Sequence, residues 1–297
     1  MKRKLQRGKH WAILAVLTLG IGAAAALWPT AAAGTVLFTM EDRAGDDWGP
    51  GDLKYPLHQV FEPGLFDLRR VHVWHDDRNL YFDVSFALVT NPWNAPEGFF
   101  HQLIDIYIDA EPGGYTEPAA EGPGVRFSPD AGWEYRLRIQ PWTGSRWLDA
   151  RSYPAKAYPV EVSVLPDGKT IRGEVPLKVT GPPSRSWRYY VLVGGFDTFG
   201  PDNYRAVESE PTQWSFGSAS AARGVRVVDI LDAGVGKRSQ KAQLQASGEE
   251  APVLIPVDGG LSLPFTWGHL LASIVVLTLL GGMFLLLPRQ KPPGQAA

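Results

Sequence analysis

The chain has no cysteine among its 297 residues. Disulfides, zinc–thiolate and iron–sulfur centres and thiol nucleophiles are therefore all excluded. Methionine is also scarce, with three in all, and Met40 is the only one between residues 34 and 264. Positive charge is short over the same stretch, which holds all 31 acidic residues and 22 of the 29 basic ones, a formal balance of −9. An acidic surface of that kind argues against nucleic acid or an anionic membrane face as ligand and suits neutral sugars or cations. No P-loop, dinucleotide fingerprint, HExxH helix or nucleophile elbow occurs. Acidic residues are plentiful, but spacing alone singles out no pair placed to flank a glycosidic bond. Catalysis is not expected.

Two long apolar runs lie at the ends. Lys2-Arg3-Lys4, Arg7 and Lys9 precede an apolar stretch from Trp11 to Leu27 and the small residues Ala31-Ala32-Ala33. This is the layout of a secretory signal over 1–33, either cleaved or kept as an anchor. Phe265 to Leu287 is 23 residues without a formal charge, about 35 Å as a helix and enough to cross a bilayer. Arg289 and Lys291 follow it, so the positive-inside rule places the 289–297 tail in the cytoplasm and the intervening chain outside the cell membrane. The expected organisation is signal or anchor 1–33, globular domain 34–235, polar linker 236–263, transmembrane helix 264–288 and tail.

Between the ends the pattern is all-β. Leu80, Phe82, Val84, Phe86 and Leu88 alternate with Tyr81, Asp83, Ser85 and Ala87, which reads as a strand with one buried face. Ile104, Ile106 and Ile108 alternate with Asp105, Tyr107 and Asp109, and Trp133, Tyr135, Leu137 and Ile139 with Glu134, Arg136, Arg138 and Gln140. Val160, Val162 and Val164 run into Pro166-Asp167-Gly168, a turn signal, and Ile171 and Val175 return. Tyr189–Val193 and Val225–Ile230 supply late strands. Turn-punctuated strands of this kind predict a β-sandwich, and about 200 residues bury enough apolar surface to fold without disulfides.

Two groups carry candidate chemistry. Asp42, Asp46, Asp47 and Asp52 crowd a loop rich in glycine, fit either for tight turns or for gathering oxygen ligands round Ca²⁺; the spacing is not that of an EF-hand. Eight of eleven tryptophans lie between Trp48 and Trp214. Trp48, Trp93, Trp142 and Trp147 neighbour Gly, Pro, Asn or Ser and read as loop rings, of which Trp48, Trp93 and Trp142 are candidate stacking surfaces for sugars. Trp133, Trp187 and Trp214 read as packed. Asp105, Tyr107 and Asp109 share a strand face. That face reads either as a solvated surface paired with Arg136 and Arg138 or, through Tyr107, as part of a ligand site.

A resemblance adds to this. Gly45-Asp46-Asp47-Trp48-Gly49-Pro50-Gly51 with Tyr55-Pro56, then Gly64-Leu65-Phe66-Asp67-Leu68, Asn91-Pro92-Trp93 and Glu97-Gly98-Phe99 follow one another in the chain. Ile104-Asp105-Ile106-Tyr107-Ile108-Asp109 with Gly113-Gly114, Gly132-Trp133-Glu134, Gly195-Phe196-Asp197-Thr198-Phe199-Gly200 and Gln213-Trp214-Ser215-Phe216-Gly217 complete the series. Together they resemble the C-terminal module of bacterial glucodextranases, a DOMON-like β-sandwich family, over about Phe38 to Ile230. Glu41-Asp42-Arg43 stands where the family tends to have Asp-Pro. The resemblance implies a module that binds a polysaccharide or cell-wall glycan, with a separate catalytic unit, and the apolar runs with their flanking charges make it membrane-tethered and surface-displayed. A docking role among envelope proteins is the alternative. Haem binding through Met40 and one of His58, His72, His75 or His101 is a third.

Overall fold

The computed structural model describes residues 34–245 and 250–258. The expected membrane segments, 1–33 and 264–288, lie outside them. No helix among the described residues is long and apolar enough to cross a membrane.

The strands in chain order are β1 (Thr35–Glu41), β2 (Leu68–His75), β3 (Asn79–Phe86), β4 (Gln102–Asp109), β5 (Arg126–Phe127), β6 (Tyr135–Ile139), β7 (Arg146–Asp149) and β8 (Lys156–Pro159). They continue as β9 (Glu161–Val164), β10 (Thr170–Pro176), β11 (Arg188–Gly195), β12 (Val207–Glu208), β13 (Phe216–Gly217), β14 (Val227–Ile230), β15 (Val253–Leu254) and β16 (Val257–Asp258). Two short α-helices, α1 (Leu177–Thr180) and α2 (Gln240–Leu244), and three single 3-10 turns accompany the strands among the described residues. One antiparallel sheet has the order β1-β2-β3-β10-β9 and the other β14-β11-β4-β6-β7-β8, with β16 on the end of β11.

Strand alternation explains how the sheets meet. Phe82 and Val84 of β3, Val71 and Val73 of β2 and Ile171 of β10 point into one core with Ile104, Ile106 and Ile108 of β4, Leu137 and Ile139 of β6 and Val191 and Val193 of β11. Phe38 meets Tyr189 across the gap at 4.7 Å between ring centroids, and Phe82 meets Trp147 at 6.2 Å. This is a two-sheet sandwich. Trp147, read from sequence as a loop ring, is instead fully buried in β7, because the chain after Gly144 turns straight into a strand.

The centre of the second sheet is buried on both faces, while β8 at its edge is largely exposed. All of β4 is enclosed, because the connection from Glu111 to Glu134 and the segment after β11 fold over its outer side. Tyr107, Phe127, Trp133, Tyr190, Leu192 and Val227 form a second apolar cluster there. Asp105 is completely buried and receives Arg136 at 2.9 and 3.1 Å and Arg138 at 2.9 and 2.7 Å. Tyr204 Oη donates to it at 2.8 Å, and Asp202 takes the outer edges of both guanidiniums. Burial alone would raise the Asp105 pKa, but the two guanidiniums hold it well below the usual carboxylate range. Arg136 and Arg138 do pair with this face, as the alternation suggests, but in the interior and not in solvent.

Of the stretch expected to be a tether, the described residues 236–245 and 250–258 pack on the sandwich. Gln240, Gln243 and Leu244 of α2 are buried, Leu254 joins the second apolar cluster, and β15 and β16 pair with β5 and β11. The segment lacks a hydrophobic pattern because glutamine amides make its contacts: Gln240 Oε1 accepts from the Ile230 amide at 2.7 Å, and Gln243 Oε1 from Ile255 at 2.7 Å.

Candidate functional site

The acidic loop is shaped by its glycines. Gly45, Gly49 and Gly51 have φ of 73°, 56° and 114°, conformations that favour glycine. The Gly49 amide donates to Val228 at 2.8 Å, laying the loop along β14. That docking brings Asp42 and Asp46 beside Asp229, and one carboxylate oxygen from each lies within 4.8 Å of the others. Asp229 is fully buried and accepts the Leu68 and Ile230 amides at 2.8 Å each. Asp42 accepts the Asp232 amide at 3.3 Å. Asp42 Oδ2 and Asp46 Oδ1 are buried without a hydrogen-bond partner among the described residues. Burial and then the Asp232 charge push the Asp46 carboxyl up to about 6. Asp42 is raised by burial and by Asp46, and Asp229 by burial and by Asp42.

Of the four candidate ligands read from sequence, the structure thus brings together two. Asp47 accepts the Tyr55 hydroxyl, and Asp52 accepts Ser218 Oγ at 2.8 Å and Ser220 Oγ at 3.3 Å, so both are loop braces. Sequence reading missed Asp229. Its signal is an acidic residue inside the apolar run Val227-Val228-Asp229-Ile230-Leu231, where a buried charge needs a partner.

The aromatic candidates separate into two places. Trp48 is partly exposed and lines a cleft of about 270 Å³ beside Asp46, Asp232, Gln240 and Lys241. Trp93 instead belongs to an aromatic face built from four loops. Asn91 closes its loop with two bonds of 2.8 Å to the Ala95 amide and carbonyl. The Trp93 ring lies 4.3 Å from Phe100 and 6.4 Å from Trp214, inclined at 48° to the latter. Trp142 meets Phe100 at 6.4 Å. Trp93, Trp142 and Trp214 are 39, 43 and 45% exposed, high for tryptophans within ring contact of other aromatics.

Trp214 was expected to pack inside. It sits instead at the tip of a turn that Thr212 closes, its flank stacked on His58 at 4.3 Å and its carbonyl accepting Arg205 at 2.7 Å. Beneath the face lies His101, 1% exposed, with Phe61, Trp93 and Phe100 around it and neither ring nitrogen hydrogen-bonded among the described residues. Burial and then Arg205 lower its pKa to about 4, so the imidazole is neutral at pH 7.

Tyr107, read from sequence as a ligand contact, is fully buried. Its ring is enclosed by Phe127 at 4.5 Å and Trp133 at 5.0 Å, and its hydroxyl accepts the Ala119 amide at 3.3 Å. Met40 packs against the main core, while His72 bonds Thr39 and His75 bonds the Asp76 carbonyl.

The fold defines a class, a two-sheet β-sandwich with its exposed aromatics on loops. Residues 37–256 match the family model described as the C-terminal binding module, SLH-like, of glucodextranase, and the chain belongs to that family. Among solved structures it is similar to a family 9 carbohydrate-binding module from Caldicellulosiruptor kristjanssonii in complex with cellotriose. That similarity has 10% identity and a TM-score of 0.23, and covers 75% of this chain and 92% of that one. A search of the curated proteins finds no match.

Proposed function

We propose that the domain is a non-catalytic carbohydrate-binding module displayed outside the cell and held to the membrane by residues 265–287. The observation that carries the binding role is the aromatic face. Three exposed tryptophans, Trp93, Trp142 and Trp214, are set on separate braced loops. Indole rings fixed in this way offer flat apolar surface to the CH-rich faces of pyranoses, while polar groups of the loops meet hydroxyls. The 48° inclination of Trp93 to Trp214 suits a twisted glycan chain better than one flat sheet of sugar. Membership of a binding-module family supports the same reading. The acidic balance favours a neutral glycan over an anionic one. The tether rests on the uncharged run before Arg289 and Lys291.

Affinity electrophoresis of the full chain through gels containing neutral glucans, with an anionic polysaccharide alongside, tests the proposal. Retardation by at least one neutral glucan is expected. Migration unaffected by every neutral polysaccharide would count against it.

A further inference from the structure

Asp105 and Asp229 are both completely buried aspartates, and the interior treats them differently. Asp105 is neutralised by two guanidiniums. Asp229 has two backbone amides and, beside it, two further carboxylates, Asp42 and Asp46. No salt bridge among the described residues reaches any of these three. A buried carboxylate without a counter-charge is strongly unfavourable, and proteins resolve it by pairing, by protonation or with a metal.

We propose that Asp42, Asp46 and Asp229 hold a Ca²⁺ ion that fastens the segment after β14 to the acidic loop. Three observations carry this independently of the sugar-binding face. The mutual oxygen distances, within 4.8 Å, fit ligands on a shared ion at the 2.3–2.6 Å of Ca²⁺–oxygen bonds. Asp46, only 7% exposed, has Oδ1 unpartnered, as has Asp42 at Oδ2. The donor set is all oxygen, which selects a hard cation over zinc or copper. Asp46 also lines the cleft of about 270 Å³ at Trp48, which gives an ion and its remaining waters a way in.

The consequence lies in what the site joins. Asp42 directly follows β1, Asp46 sits in the loop and Asp229 is in β14. The chain just beyond is wired to the same place, since Asp232 accepts the amides of Gly234 and Gln240, and the Gln240 side chain donates to the Asp46 carbonyl. An ion here therefore locks the start of the sandwich to the segment by which the chain leaves it. Lys237, Arg238 and Lys241 in that segment are exposed and provide a tryptic readout.

The test compares the full chain in excess EGTA, in CaCl₂ and in MgCl₂, by thermal melting and by limited trypsin digestion. Saturating Ca²⁺ is expected to raise the melting temperature by about 5–10 °C and to slow cleavage after Lys237, Arg238 and Lys241 at least tenfold, with Mg²⁺ less effective. Asp46→Asn removes one charge at constant size. It is expected to melt in EGTA at or above the wild type, because repulsion is relieved, and to lose most of the Ca²⁺ response. Asp229→Asn is a second variant with the same expected loss. Equal melting and cleavage of the wild type in EGTA and CaCl₂ would overturn the proposal, as would an undiminished Ca²⁺ response in both variants.

Discussion

The Glu97 carboxylate holds the turn that carries Trp142, accepting the Trp142 amide at 3.0 Å and the Thr143 amide at 2.8 Å from a loop 45 residues away in sequence. Both residues it grips have positive φ, 60° and 61°, a conformation that non-glycine residues adopt only when the surroundings enforce it. Glu97 thus couples the Trp93 loop to the Trp142 loop. Removing it by Glu97→Ala should free the Trp142 turn and weaken glycan binding several-fold. The stability loss should be only about 1 kcal/mol, because the bonds are partly solvated. Parallel titration and urea melting check this; a stability loss without a binding change would separate Trp142 from the site.

The Asp105 network is expected to dominate stability. Asp105→Asn leaves Arg136 and Arg138 buried with only Asp202 to balance them, and should destabilise by about 3–5 kcal/mol. Urea denaturation measures it, and a change below about 1 kcal/mol would show that the guanidiniums find other partners.

Acid should weaken the fold through His101. Its folded pKa, lowered to about 4 by burial and Arg205, lies below the ordinary 6.5, so the unfolded chain takes up a proton that the folded chain refuses. The contribution is full above about 6.5 and is lost as pH falls toward 4, on the order of 3 kcal/mol over that window. His101→Phe fits the surrounding rings and removes the titration. Melting curves between pH 4 and 7 should be flatter for the variant, and identical slopes would contradict the assignment.

Much of the sandwich was legible because period-two alternation marks a strand whatever covers its second face. The alternation at Leu80–Phe86 and Ile104–Ile108 and the Pro166-Asp167-Gly168 turn, where Gly168 has φ of 68°, are as expected. What the outer faces do was not legible. Whether Tyr107 meets water depends on a distant connection that folds over it, and period-two patterning carries no record of that. Trp214 misled for the converse reason, since Phe216 two residues on packs in β13 while a Thr212 turn lifts the Trp214 ring outward. The acidic cluster was half visible, because Asp42 and Asp46 are local in sequence and Asp229 is not. The docking of 236–245 is mostly glutamine-mediated, and its single buried apolar residue, Leu244, makes no pattern.

The proposed orientation rests on the flanking charges. Proteolysis of intact cells should remove the sandwich and spare the tail after Pro288, and a protected sandwich would contradict display outside the cell.

The most direct test of the account is glycan binding by the double variant Trp93→Ala/Trp214→Ala, measured alongside its melting. Stacking on an aromatic side chain contributes about 1–3 kcal/mol per ring where bases are the partner, so the pair should lower affinity for a retained neutral glucan by at least tenfold. Melting should change little, because both rings are more than a third exposed. Undiminished affinity in a folded double variant would contradict the account and move the site away from this face.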